Sequence, residues 1–268
     1  MKISIFLSHL KAIHRLCGKT YEEIARLCRE IGIERVDVEQ SELFGDSRSV
    51  LDVFLNSGMD ISSMITRCDF IHNADTSGID GIIDTAKEFK IKRIFLVVGM
   101  WQEGDDRDEC YKRSLEPVKM LVKKAKENGI SVGIEDYDAD MPTKDTKGLL
   151  WYLERVDDLH CIFDTGNFAY ALEDTLDAYK SLKSYITEHI HLKDRAVMGL
   201  ENQNPMLLSD GSKTYACPVG SGIIPIEKIL NDQKASGFDG TLTIELFGSC
   251  DYLGDTIKSA EWIKERMI

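Results

Sequence analysis

Three carboxylates and one imidazole stand at or near the ends of short apolar runs in the second half of the chain. Glu135 closes SVGIE, Asp164 closes CIFD, His191 lies within EHIHLKD and Glu245 closes TLTIE. Oxygen and nitrogen donors of this kind suit a hard or borderline divalent cation, and no thiolate accompanies them. Mn²⁺ is the preferred ion, with Mg²⁺, Co²⁺ or Zn²⁺ also compatible. The spacing explains how the four can meet. A strand–helix–strand unit takes about 30 residues. The steps from Glu135 to Asp164 and from Asp164 to His191 are each close to one such unit, and the step to Glu245 is one unit plus a long irregular stretch. Any one of these residues alone would read as a polar cap bonded to a nearby loop. Four in register point to a single site.

The elements that must position them recur along the whole chain. Strand-like runs fall at 3–7, 35–39, 61–65, 93–99, 131–135, 161–164, 188–194 and 241–245. Helical patterns separate them. In TYEEIARLCREIG, Ile24, Leu27, Cys28 and Ile31 share one face, Thr20 is the expected N-cap and Gly32 follows the end. SLEPVKMLVKKAKENG has the same design and stops at Gly129. Eight strands separated by helices predict a parallel sheet, since parallel neighbours need crossovers. An open doubly wound sheet is the alternative. The count of eight, the near-constant unit length and the absence of G-x-G-x-x-G after the first strand favour a closed α/β fold, a single (β/α)8 TIM barrel over residues 1–268. Its active site is then expected at the C-terminal ends of the strands. The stretch 195–222 carries turn-forming residues, and a loop of that length is more often functional than accidental.

Composition excludes several roles. The formal net charge of −13 argues against nucleic acid or an anionic membrane as a partner. No apolar run approaches the roughly 20 residues of a membrane span, and the N-terminal apolar patch is too short for a secretory signal, so a cytoplasmic enzyme is expected. The 7 cysteines are odd in number and contain no C-x-x-C, which indicates free thiols. A small-molecule carbohydrate is the expected partner, and a homo-oligomer is compatible with the sequence.

The segments GIEDY (133–137), FDTGNF (163–168), HIHLKD (189–194), PVGSG (218–222) and GFDGTLTIE (237–245) resemble the xylose-isomerase-like superfamily of sugar phosphate isomerases and epimerases. That group includes ketose 3-epimerases, hydroxypyruvate isomerase and inosose dehydratase. The resemblance implies that Glu135, Asp164, His191 and Glu245 bind the metal, and that Glu135 and Glu245 double as the catalytic acid/base pair. It also implies isomerase or epimerase chemistry, by proton abstraction beside a carbonyl through a metal-stabilised enediolate. An inosose dehydratase-type lyase and a non-catalytic sugar-binding barrel are the alternatives. The related apurinic endonucleases need more histidines than the 6 present. One departure stands out: Asn167 occupies the position where many members carry His, and Asn cannot titrate near neutrality.

Further candidates for substrate binding are Asn167, Lys193, His72 and Trp101. Lys193 reads equally as a salt-bridged rim residue, His72 as a satisfied histidine and Trp101 as packing beneath a loop. His189 is expected on the side of the strand that carries His191. Glu39, at the end of the second strand, reads as a hydroxyl acceptor or a cap. Gly220 and Gly222 resemble a phosphate-binding turn too weakly to imply a phosphorylated substrate.

Overall fold

The computed structural model describes residues 1–267. Eight parallel strands close into a barrel: β1 (Lys2–Phe6), β2 (Ile33–Glu39), β3 (Asp60–Arg67), β4 (Arg93–Val97), β5 (Ser131–Glu135), β6 (Leu159–Asp164), β7 (His189–Leu192) and, last in the chain, β11 (Thr241–Ile244). Their order around the barrel is β1-β11-β7-β6-β5-β4-β3-β2, so closure rests on the pairing of β1 with β11. The nine helices among the described residues are α1 (Leu7–Cys17), α2 (Tyr21–Glu30), α3 (Gly45–Asn56), α4 (Ile79–Glu88), α5 (Arg107–Glu127), α6 (Thr146–Leu153), α7 (Thr175–Leu182), α8 (Ile226–Ala235) and α9 (Tyr252–Met267).

Local chemistry accounts for the boundaries. Thr20 and Glu23 form a reciprocal capping box at the start of α2, which satisfies two backbone donors that the first helical turn leaves free. Ile24 and Cys28 bury against the barrel as their spacing predicts, while Leu27 and Ile31 are only half-buried and Ala25 takes a core position. The helix ending before Gly129 starts earlier than its apolar pattern suggests. Asp106 caps α5 through the Glu109 amide, and the helix runs through Pro117.

The stretch after β7 departs from the irregular loop expected. It folds into a small antiparallel sheet of β8 (Asp194–Ala196), β9 (Met206–Leu207) and β10 (Lys213–Cys217) in the order β8-β10-β9. These strands are two to five residues long, so no alternating pattern marks them, and their pairing partners lie across a turn.

Two apolar clusters hold the molecule together. The larger lies between strands and helices, and a smaller one of Phe6, Ile65, Phe95, Val97, Met141 and Ile162 gathers at the C-terminal end of the barrel. Deeper inside, the barrel is polar. Asp37 accepts hydrogen bonds from Ser4 at 2.6 Å, Thr243 at 2.7 Å and Ser63, which meets the demand of a buried carboxylate. Because Thr243 donates to Asp37, it must accept from His189 Nε2 at 2.7 Å, and His189 Nδ1 then accepts from Arg93 at 3.1 Å. His189 is thus neutral and belongs to the barrel interior; burial and the Arg93 charge both hold its pKa below the usual range.

Candidate metal centre

β5, β6, β7 and β11 are consecutive neighbours in the barrel. Asp164 is level with His191 across β6 and β7, and the Glu245 amide bonds the Leu192 carbonyl at 3.1 Å. Neighbouring strands therefore deliver Glu135, Asp164, His191 and Glu245 to one point. One donor atom from each lies within 4.8 Å of every other, and all four residues are buried.

The donors are held in place by the fold, and some of their atoms are left without hydrogen-bond partners. Asp164 Oδ1 accepts from the amides of Gly166 and Asn167 at 2.7 Å each, which fixes the carboxylate and leaves Oδ2 without a hydrogen bond. The turn needs Gly166, because a Cβ there would lie 2.7 Å from the Lys193 carbonyl oxygen. His191 Nδ1 is in close contact with Glu135 Oε1 and lies 3.3 Å from Glu245 Oε2, while its Nε2 is buried without a hydrogen-bond partner. Such groups are costly to bury unsatisfied. A divalent cation among them would meet the need, and three carboxylates with one imidazole match the oxygen- and nitrogen-rich chemistry of Mn²⁺ or Mg²⁺. The residues fit a metal.

The two glutamates differ in their surroundings. Lys193 is buried and its ammonium contacts Glu245 Oε1 and Asn167 Oδ1, with Asp138 at 3.2 Å. Burial works against the Lys193 charge, but Asp164, Glu245 and Asp138 outweigh it and keep the pKa above the usual range. For Glu245, burial is overcome by Lys193 and His191, and the carboxyl is held well below its ordinary value. Glu135 has no such ammonium in contact, and burial pushes it up to about 7. A bound cation would favour the ionised form of every carboxylate here.

Glu135, Glu245, Asn167 and Lys193 border one cavity of about 380 Å³. Asn167 also donates to the Asp136 carbonyl at 2.8 Å and so orients Lys193. The structure does not bring the other two candidates to this cavity. His72 is held between Asp69 (2.6 Å) and Asp105 (3.0 Å), whose hydrogen bonds raise its pKa, Asp105 foremost. Trp101 packs against Tyr111 with ring centroids 5.5 Å apart and lies under the Arg107 guanidinium.

Sequence reasoning passed over most of the cavity wall. Phe6, Ile65, Phe95, Tyr137 and Phe247 supply an apolar side, and Glu42, Arg67 and Asp138 supply charge beside Glu39, which the sequence had offered as a hydroxyl acceptor or a cap. The aromatics read as core residues in the sequence. Phe247 and Asp138 did carry a faint signal, lying two residues after Glu245 and three after Glu135.

Residues 50–266 match the family described as the xylose isomerase-like TIM barrel. An inosose dehydratase from Erwinia tasmaniensis is 26% identical over 225 residues, covering 80% of this chain and 70% of that protein. Among solved structures, the probable 3-DHS dehydratase AsbF of Bacillus anthracis, involved in petrobactin synthesis, superimposes with a TM-score of 0.72 at 17% identity, with 100% of both chains covered. A xylose isomerase-like TIM barrel protein from Mycobacterium smegmatis in complex with magnesium does so at 0.67 and 18% identity, covering 91% of this chain and 87% of that one.

Proposed function

Because this chain belongs to the xylose isomerase-like TIM barrel family, we propose that it is a divalent-metal-dependent carbohydrate isomerase or epimerase that removes a proton from a carbon beside a carbonyl. One observation carries the proposal: Glu135 and Glu245 belong to the same four-donor cluster and both face the cavity. A structural cluster would not require two carboxylates open to substrate.

Glu135, Asp164, His191 and Glu245 would hold the ion, with Mn²⁺ preferred; the magnesium in the Mycobacterium smegmatis relative supports a hard cation. When bound, the ion supplies electron withdrawal from a carbonyl oxygen, which acidifies the neighbouring C–H. The remaining steps belong to side chains. Glu245, kept ionised by Lys193 and His191, accepts the carbon proton. Glu135, in its protonated form, delivers a proton to the opposite face or to the adjacent carbon. Return to the opposite face inverts a centre, and return to the neighbouring carbon exchanges aldose for ketose. Phe6, Ile65 and Phe95 keep bulk water from one side of the reacting carbon.

Lys193 favours a second reading. Its ammonium borders the cavity beside Glu245 and can protonate a departing hydroxyl after Glu245 has taken the carbon proton, which gives dehydration. The Erwinia tasmaniensis relative is named for such a reaction.

The test is incubation in deuterium oxide with Mn²⁺ and a panel of ketoses, aldoses and inososes, read by NMR and mass spectrometry. Deuterium at the carbon beside the carbonyl is expected for isomerisation or epimerisation. Retained mass apart from the label marks isomerisation or epimerisation, and loss of water with a new enone absorbance marks dehydration. Absence of both deuterium and dehydrated product from the whole panel would overturn both readings.

A further inference from the structure

We infer that His72, Asp105 and Cys110 form a second metal site, one that takes Zn²⁺ and shares no residue with the four-donor cluster. None of the three borders the cavity.

The first observation is the convergence of three different donors. One donor atom from each residue lies within 4.8 Å of the other two. They come from separate parts of the chain: His72 from the loop after β3, Asp105 from the loop after β4, and Cys110 from the first turn of α5. Side chains of a helix lean toward its N-terminus, which carries Cys110 back over the start of α5 toward Asp105. Its thiol is free and the residue is 3% exposed. Imidazole, carboxylate and thiolate are the donors that zinc uses, at about 2.0–2.2 Å for nitrogen and oxygen and about 2.3 Å for sulfur. Ligand atoms around such an ion are roughly 3–4 Å apart, so the three corners need to close by only about 1 Å.

The second observation is how the surrounding residues aim these donors. His72 Nδ1 pairs with Asp69 at 2.6 Å, and Nε2 faces Asp105 at 3.0 Å. A histidine that binds metal through one nitrogen commonly gives its other N–H to a carboxylate, which fixes the ring. Asp69 holds that position here. Gly99 makes room for it, because a Cβ there would lie 2.9 Å from Asp69 Oδ1. Asp105 is fixed in turn, its Oδ2 accepting from the Gln102 amide at 2.7 Å.

Without metal, both ring nitrogens of His72 donate to carboxylates. Zinc takes the place of the Nε2 proton and of the Cys110 thiol proton, and both protons pass to solvent. The charge of the ion is then balanced by one carboxylate and one thiolate, while Asp69 keeps the Nδ1 proton. A clamp made of ion pairs alone would leave the buried thiol at the third corner without a use. The bound ion ties the loop after β3 to the start of α5. Mn²⁺ and Mg²⁺ favour oxygen over sulfur, so those ions read the four-donor cluster and Zn²⁺ or Co²⁺ reads this site.

The experiment titrates Co²⁺, and separately Zn²⁺, into the reduced full-length protein after chelation. Cobalt bound through a thiolate absorbs in the near ultraviolet by sulfur-to-metal charge transfer, a band that the sulfur-free four-donor cluster cannot give. The band is expected in the wild type and in His191→Gln, and should be lost in Cys110→Ser. Zinc retained after desalting should be one equivalent higher in the wild type than in Cys110→Ser. Asp69→Asn keeps all three ligands and should bind zinc at least ~10-fold more weakly. No band in the wild type, a band that survives in Cys110→Ser, or equal zinc content in the two proteins overturns the inference. If circular dichroism shows that Cys110→Ser does not fold, His72→Gln takes its place with the same expected and contrary results. A negative result here leaves the four-donor cluster standing, because Mn²⁺ binding there is measured independently.

Discussion

Adding a divalent cation to the metal-free protein should stabilise it, and the structure gives the scale. The donor atoms of Glu135, Asp164 and Glu245 lie within 4.8 Å of one another. At that distance two ionised carboxylates repel by about 3 kcal/mol at an effective dielectric constant of about 20. Lys193 and proton uptake by Glu135 relieve part of this in the metal-free state, and a cation would relieve the rest. Present at a hundred times its dissociation constant, it contributes about 2.7 kcal/mol. For a chain of this size each kcal/mol moves the midpoint by roughly 2–4 °C, so a rise of about 5–10 °C is expected. The assay is thermal unfolding followed by circular dichroism after chelation, with Mn²⁺, Mg²⁺, Co²⁺ and Zn²⁺ added in turn and bound metal measured by mass spectrometry. Glu135→Gln keeps the shape and removes one anionic donor. It should unfold near the metal-free wild-type midpoint or above it, and lose most of the cation-dependent rise. The reasoning fails if no cation shifts the wild type, or if Glu135→Gln and His191→Gln respond as the wild type does.

Other perturbations separate the roles of individual residues. Glu245→Gln should keep the fold, as judged by its circular dichroism spectrum, and lose at least ~100-fold in turnover; wild-type-like turnover would remove Glu245 from proton transfer. Lys193→Met deletes the ammonium that holds Glu245 and Asn167, so kcat should fall by at least ~10-fold, with the acidic limb of the pH–rate profile moving to higher pH as Glu245 becomes easier to protonate. His9 accepts from the Leu246 amide at 2.8 Å, and burial lowers its pKa to about 3. Below pH 6.5 the unfolded chain takes up a proton that folded His9 refuses, so its contribution to stability falls as pH drops from 6.5 toward 3, by on the order of 1 kcal/mol per unit. Denaturant unfolding at pH 7, 6 and 5 should show a shallower decline in His9→Gln than in the wild type.

The barrel and the convergence of the four candidate donors were legible because both depend on short-range regularities. Apolar runs of four to eight residues mark buried strands, and a repeat near 30 residues marks the crossover unit. The run 131–135 coincides with β5, and the other strands begin or end within about two residues of their runs, as is usual for element boundaries. Once four adjacent strands each end in a donor, convergence follows from parallel pairing. His72 and Trp101 were harder. Each follows a barrel strand, but Asp69, three residues before His72, and Asp105, 33 residues after it, capture the imidazole, and Tyr111 backs the indole; the approach of Asp105 is recorded in no local pattern.

The segment HIHLKD shows where sequence reasoning gains its power and where it stops. Side chains along an extended segment alternate between faces. His189, His191 and Lys193 therefore point toward the barrel axis, and the structure finds them in the polar interior, the four-donor cluster and the cavity wall. Asp194 is one residue out of phase. Its carboxylate turns away from the cavity and is enclosed by the amides of Arg195, Gly220, Gly222 and Ile224. Alternation alone predicts that Asp194 points away from the four-donor cluster. It cannot predict the amides that receive it, since three of the four lie more than 25 residues ahead, beyond the small sheet. The same carboxylate, moved by one position, would have been a fourth anion beside the cluster; where it stands, it ties the loop after β7 to the turn before α8.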